Sequence, residues 1–166
     1  MTEYYVYEQP LNEKIRSFLR LEKLFQEYSF HLKHGSDWNN RIAIDSILQL
    51  LAFTTRSDVK LEALKELERQ HSRLERLSRR PQIDQSQLSS VLKNIQKRIG
   101  ELQAISGPIG LDTKNIELLS AIAQKNSVPG SICDFDLPTL RHWLTLPKET
   151  RQKHIEKWFQ PFGPLD

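Results

Sequence analysis

The sequence predicts an all-α fold: a bundle of about seven helices that contains one long αα-hairpin and follows a short N-terminal strand. Two observations favour helices. The 166 residues include 24 leucines and only 4 valines, and unbranched leucine loses less side-chain freedom in a helix than a β-branched residue does. Apolar residues also recur at spacings of three and four along most of the chain, which is the period of an amphipathic helix.

Two long helices are predicted first. Asn12 is a candidate N-cap of the first helix, which is expected to end at Gly35. Ser36 or Asp37 is the candidate N-cap of the second helix. Because apolar residues surround its last turns, we expect the second helix to be central in the bundle and buried on more than one side. These residues are Trp38, Ile42, Ile47, Leu48, Leu51 and Phe53.

The predicted αα-hairpin consists of a third and a fourth helix, separated by Pro81, with Ser57 and Asp84 as candidate N-caps. We expect an apolar seam on the fourth helix, together with the third helix, to form the interface of a homodimer. The alternative is that this seam packs onto the first two helices of the same chain, because heptads also fill the cores of ordinary bundles. The heptad positions are Leu88, Leu92, Ile95, Ile99 and Leu102.

Three shorter helices are predicted in the last third of the chain, after Asp112, from Leu137 to Leu144 and from Pro147 to Phe159. The helical domain is therefore expected to span residues 11 to 160. Residues 161 to 166 contain two prolines and a glycine, a composition typical of a linker. Near the other end, the run EYYVYE is aromatic and β-branched, which predicts a strand within residues 1 to 10.

Sequence motifs indicate neither an enzyme nor a cofactor or metal site. There is no Gly-rich phosphate loop, no GxSxG elbow and no HExxH motif. His31 and His34 lie three residues apart on the first helix, but no further ligand falls at a suitable spacing beside them. Cys133 and His142 lack a third residue that would orient them as nucleophile and base.

The expected compartment is the cytoplasm. Cys133 is the single cysteine, which excludes an internal disulfide. The start of the chain lacks the basic and apolar regions of a signal peptide, and no run of about 18 apolar residues predicts a membrane span.

Positive charge is concentrated in the middle of the chain. The formal net charge is +3, and residues 57 to 107 carry 10 Lys and Arg against 7 Asp and Glu. Arg73, Arg76, Arg79 and Arg80 lie at the end of the third helix, where the helix dipole also favours cations. A basic helical module that binds nucleic acid is therefore the alternative function. On the first helix, Arg20 shares one side with two other cations, but glutamates are interleaved with them, which is also typical of a solvated face.

Three blocks of the sequence resemble the ZapD family of bacterial cell-division proteins, which associate with the tubulin-like GTPase FtsZ. They are YEQPLNEKIRSFLRLEKLF at residues 7 to 25, LKELERQ at 64 to 70 and SVPGSICDFDLPTLRHWLTLP at 127 to 147. The resemblance covers only the first, helical part of the family, whose members continue into a β-rich domain. It implies that residues 161 to 166 lead toward that domain and that the N-terminal strand pairs with it.

The resemblance also implies a non-enzymatic adaptor, a homodimer that binds the C-terminal tail of FtsZ and cross-links filaments at the division site at mid-cell. In the family, basic residues of the helical domain receive the tail, and the matching positions here are Arg20 and Arg141. We rank four nearby cations second: Arg16, Lys14, Lys114 and His142. The chain departs from the family pattern in the fifth helix, which is less basic and contains Glu117, Ala123 and Gln124.

Overall fold

The computed structural model describes residues 7–56, 58–78, 83–126 and 132–166. Within these residues the fold is all-α, as the sequence predicts, with no strand. The helices are α1 (Glu13–His34), α2 (Asp37–Arg56), α3 (Val59–Leu77), α4 (Gln85–Ala104), α5 (Leu111–Lys114), α6 (Glu117–Lys125), α7 (Pro138–Leu144), α8 (Lys148–Phe159) and a last 3₁₀ helix (Gln160–Leu165). Seven helices were predicted, and the additional α-helix among the described residues is the single turn α5.

The ends of α1 are set by the predicted capping residues. The Asn12 side chain accepts a hydrogen bond from the backbone N–H of Ile15 at 2.9 Å, and Gly35 closes the helix with a left-handed φ of 64°. The Gly35 N–H donates to the carbonyl of His31. After this turn the chain reverses, and α1 packs along α2 as an antiparallel pair.

Helix α2 is central, as predicted, because it contacts α1, α3, α5, α6 and α8. Its inner face is enclosed, with Ile44, Ile47 and Leu50 essentially inaccessible to solvent. The prediction that Trp38 is part of this buried surface is wrong, because the side chain is 77% exposed. The buried Arg151 of α8 donates to the Asp37 carboxylate and ties α8 to the start of α2.

The predicted αα-hairpin of α3 and α4 is confirmed, and Asp84 caps α4 by accepting from the N–H groups of Ser86 and Gln87. The seam of α4 packs on α3 and, at its C-terminal end, on the last 3₁₀ helix. It is therefore not an open surface for a second copy, and it does not pack mainly on α1 and α2. The buried seam residues are Leu88, Ile95, Ile99 and Leu102.

The segment predicted as a linker, residues 161 to 166, is largely helical and packs against the bundle. It lies within the last 3₁₀ helix, and the Phe162 side chain is 0% exposed. Composition indicated a linker because prolines and a glycine break α-helices, but proline is compatible with a short 3₁₀ turn whose apolar residue faces a core.

The predicted N-terminal strand at residues 3 to 8 is not supported. Its first four positions lie outside the described residues, and Tyr7 and Glu8 carry no regular secondary structure.

Candidate functional site

One side of α2 faces away from the core and forms the centre of the candidate site. Its residues recur at spacings of three and four, which places them in a single stripe along the helix. We call this stripe the α2 face; it consists of Trp38, Arg41, Ile42, Asp45, Gln49, Ala52 and Phe53. The stripe combines apolar side chains with charged ones; Trp38 and Ile42 are exposed, whereas Phe53 packs partly against the core.

Arg20 lies at the C-terminal end of the α2 face. It is exposed on α1 and lines a depression with Lys23 and Glu27 of the same helix and with Gln49 and Phe53 of α2. Among the residues that the structure describes, Arg20 makes no ion pair. Its guanidinium is therefore available to an anion from outside the chain.

Arg141 lies at the N-terminal end of the α2 face, where two arginines share one carboxylate. Arg41 Nη2 is 3.1 Å from Asp134 Oδ1, and Arg141 Nε is 3.6 Å from Asp134 Oδ2. Arg41 also donates to the carbonyl of Ile132 at 3.3 Å. Two guanidinium groups therefore share one carboxylate at this end.

Asp45 lies between the two ends of the α2 face. Both carboxylate oxygens of Asp45 are occupied, one by the amide of Gln49 at 2.6 Å and the other by the amide of Asn126 at 2.9 Å. From Arg41 to Gln49 the helix rises by about 12 Å, at 1.5 Å per residue. An extended peptide covers that distance with about four residues at 3.3 Å each. A short extended ligand can therefore span α2 from Arg41 to Gln49.

The second-rank cations divide into two groups. Lys114 lines a depression between α2 and α6 that shares Ala52 with the depression of Arg20, and the exposed His142 directly follows Arg141. Arg16, one turn before Arg20 on α1, pairs with Glu13. Lys14 pairs with Glu66 of α3 at 2.5 Å and is held away from the α2 face.

Glu66 gives the Lys14 side of the bundle a testable pH dependence. Hydrogen bonds from Arg69, Lys14 and Gln70 outweigh partial burial and lower the pKa of Glu66 from 4.5 to about 2. A carboxyl group whose pKa is lower in the folded state than in the unfolded state stabilises the fold at pH values above the unfolded-state pKa. This stabilisation is lost as the pH falls through the folded-state pKa.

We therefore expect Glu66→Gln to reduce stability at neutral pH and to change little near pH 2. Urea midpoints of both proteins between pH 7 and pH 2 measure this difference, which should shrink below pH 4.5. A constant difference across that range would contradict the assignment.

The histidines of α1 and the basic cluster of α3 were weighed for other functions. His31 donates to Asn39 at 2.6 Å and His34 to the carbonyl of Phe30 at 2.7 Å. Across the described residues, no group of three or more His, Cys, Asp or Glu side chains could hold a metal ion. Arg73 and Arg76 are exposed on α3, whereas Arg79 and Arg80 lie outside the described residues.

Arg41 belongs to the candidate site but was not among the residues predicted from the sequence. Its role depends on Asp134, which is 93 positions away in the sequence, and no local pattern links the two. The spacing of Trp38, Arg41, Ile42 and Asp45 was visible, but periodicity alone does not tell an inner face from an outer one.

Comparison with known proteins identifies the family. A family model described as a cell division protein, ZapD, matches residues 19 to 166. The chain belongs to the ZapD family. In the described part of the chain, no helix is long and apolar enough to cross a membrane.

Several curated relatives carry the name Cell division protein ZapD. The relative from Nitrosomonas europaea is 35% identical over 159 residues, which is 96% of this chain and 61% of that protein. The relative from Ralstonia pickettii is 38% identical over 160 residues, covering 96% and 64%, respectively. The relative from Methylococcus capsulatus is 36% identical over 165 residues, covering 99% and 65%. The chain thus spans less than two thirds of these ZapD proteins.

Proposed function

We propose that this chain acts in cell division as a non-enzymatic adaptor that binds the C-terminal tail of FtsZ. Membership of the ZapD family supports the cell-division role. The observation that supports the binding proposal is that both arginines adjoin residues of the α2 face: Arg20 lines a depression with Gln49, and Arg141 shares Asp134 with Arg41. The tail carboxylates pair with these guanidinium groups, a geometry in which arginine forms two parallel hydrogen bonds to one carboxylate.

The proposed mechanism is filament cross-linking by a dimer. A disordered tail loses conformational entropy when it docks, so that a single site binds weakly. A homodimer that holds two tails from neighbouring filaments gains from effective concentration, and weak sites then bundle filaments strongly. The protein acts in the cytoplasm and is recruited to mid-cell by FtsZ. Neither a cofactor nor a nucleic acid takes part in this mechanism.

Charge reversal at the arginines tests the proposal. We expect Arg20→Glu and Arg141→Glu each to weaken binding of a synthetic FtsZ tail peptide about tenfold or more, because a charge-assisted hydrogen bond is replaced by repulsion. Isothermal titration calorimetry measures the affinity, and circular dichroism should show unchanged helicity because both side chains are exposed.

Arg73→Glu is the matched control, because it makes the same charge change at an exposed position on the hairpin. We expect it to bind the peptide like the unmodified protein. An equal loss of affinity in all three variants would indicate nonspecific electrostatic attraction. If both Arg20→Glu and Arg141→Glu bind the peptide like the unmodified protein, the proposed site is wrong. A gel shift with duplex DNA at two salt concentrations tests the nucleic-acid alternative, in which Arg73→Glu would weaken binding.

A further inference from the structure

A pocket with a mostly apolar lining lies beside Arg41 at the N-terminal half of α2. It is formed where α2 meets α6, α7 and the segment before α7. Its volume is 350 Å³, at the lower end of the size range for small-molecule sites, which suits one or two peptide side chains. We call it the Trp38 pocket; its apolar lining consists of Trp38, Ile42, Ile44, Ile122, Ile132 and Leu140.

The apolar wall of the Trp38 pocket is unusually open to water. Trp38 is 77% exposed and Ile42 is 36% exposed, one turn apart on the same face. The other two tryptophans, Trp143 and Trp158, are buried in the core. Exposed clusters of this kind mark interaction surfaces, and tryptophan is enriched among residues that dominate binding energy.

The charges at the rim indicate which partner suits the pocket. Arg41 lines the pocket and shares the Asp134 carboxylate with Arg141, while Asp45, the other carboxylate here, accepts from the amides of Gln49 and Asn126. The formal charges of these four groups balance, and the two guanidinium groups are the ones that a carboxylate of an occupant can approach. An occupant that brings an apolar side chain and an adjacent carboxylate satisfies both the apolar wall and the rim. The pocket is also continuous with the α2 face through Asp45, which lines it and is bonded to Gln49.

We propose that the Trp38 pocket anchors one large apolar side chain of the peptide bound on the α2 face, with a neighbouring carboxylate held by Arg41. This inference rests on the proposed function and specifies the chemistry that the site recognises. A second carboxylate of the peptide, about four extended residues away, reaches the Arg20 end. The arginines thus attract the acidic chain, and the pocket fixes its register.

Trp38→Ala tests the pocket, with Phe30→Ala on α1 as the matched control for loss of an exposed aromatic side chain. With the FtsZ tail peptide as probe, we expect Trp38→Ala to weaken binding about tenfold or more and Phe30→Ala to leave it unchanged. The loss should persist at high salt, because apolar burial is not screened, whereas the losses from Arg20→Glu and Arg141→Glu should shrink.

Acrylamide quenching of tryptophan fluorescence gives a second readout, because Trp38 is the exposed tryptophan and bound peptide should protect it. Alanine substitutions along the peptide should identify one apolar residue whose replacement weakens binding to the unmodified protein. The same replacement should not further weaken binding to Trp38→Ala, because the contact is already lost.

Three outcomes would overturn the inference. If Trp38→Ala binds normally while the arginine variants fail, the proposed function stands and the Trp38 pocket is not part of the site. If Trp38→Ala changes the oligomeric state in sedimentation instead of the affinity, the pocket belongs to a contact between copies. If the arginine variants and Trp38→Ala all bind normally, both proposals fail.

Discussion

Replacing Phe162 by alanine is expected to lower the free energy of unfolding by about 3–5 kcal/mol, the usual cost of removing a buried phenylalanine side chain. Phe162 is 0% exposed, and its ring centroid lies 6.1 Å from that of Phe159. A domain of this size is stabilised by only about 5–15 kcal/mol in total, so the loss should be evident as a large drop in the urea midpoint.

Phe30→Ala provides the control for this measurement, because it removes the same side chain from a position that is 57% exposed. We expect a change of about 0.5 kcal/mol or less. Equal, small effects for the two substitutions would show that the last 3₁₀ helix is not packed on the bundle in solution.

Local signals predicted the long helices well. The caps Asn12, Gly35 and Asp84 act through neighbours within four residues, so the sequence around them contains all that is needed to place the ends of α1 and α4. The heptad pattern of α4 likewise identified a buried seam. It did not identify what covers the seam, because that depends on how distant elements pack.

Local sequence does not determine features that depend on tertiary packing. Residues 161 to 166 have the composition of a linker, yet one side chain, Phe162, fixes them to the core. Trp38 has the periodicity of a core residue, yet α2 turns it outward. In both cases the local sequence is compatible with a buried or an exposed side chain, and residues far away in the chain determine which of the two occurs.

Arg20 and Arg141 stay predictions as site residues. The resemblance to the ZapD family supplied Arg20 and Arg141, and the structure places both beside α2, whereas Lys14 is paired with Glu66. Because α2 is anchored on its inner face by Ile44, Ile47 and Leu50, its outer face is held in place before a ligand binds. In the proposed function, the conformational entropy cost of binding then falls on the tail peptide and not on α2.

Gly110→Ala is the second substitution expected to have a large effect, lowering the free energy of unfolding by about 2–4 kcal/mol. Gly110 has a φ of 81°, a backbone conformation that residues with a side chain rarely adopt. A Cβ there would also lie 2.5 Å from Phe162 Cζ and 2.8 Å from Leu51 Cδ2, well inside van der Waals contact. Urea denaturation measures the loss.

Gly107→Ala separates the two causes, because Gly107 has a similar φ of 79° but nothing within 4 Å of its Cβ position. It should cost only about 1 kcal/mol, the backbone contribution. The remainder of the Gly110→Ala effect is then the collision with Phe162 and Leu51. In the Phe162→Ala background part of that collision is absent, so the double variant should be more stable than additivity predicts. Strict additivity would mean that the Phe162 ring does not pack over Gly110.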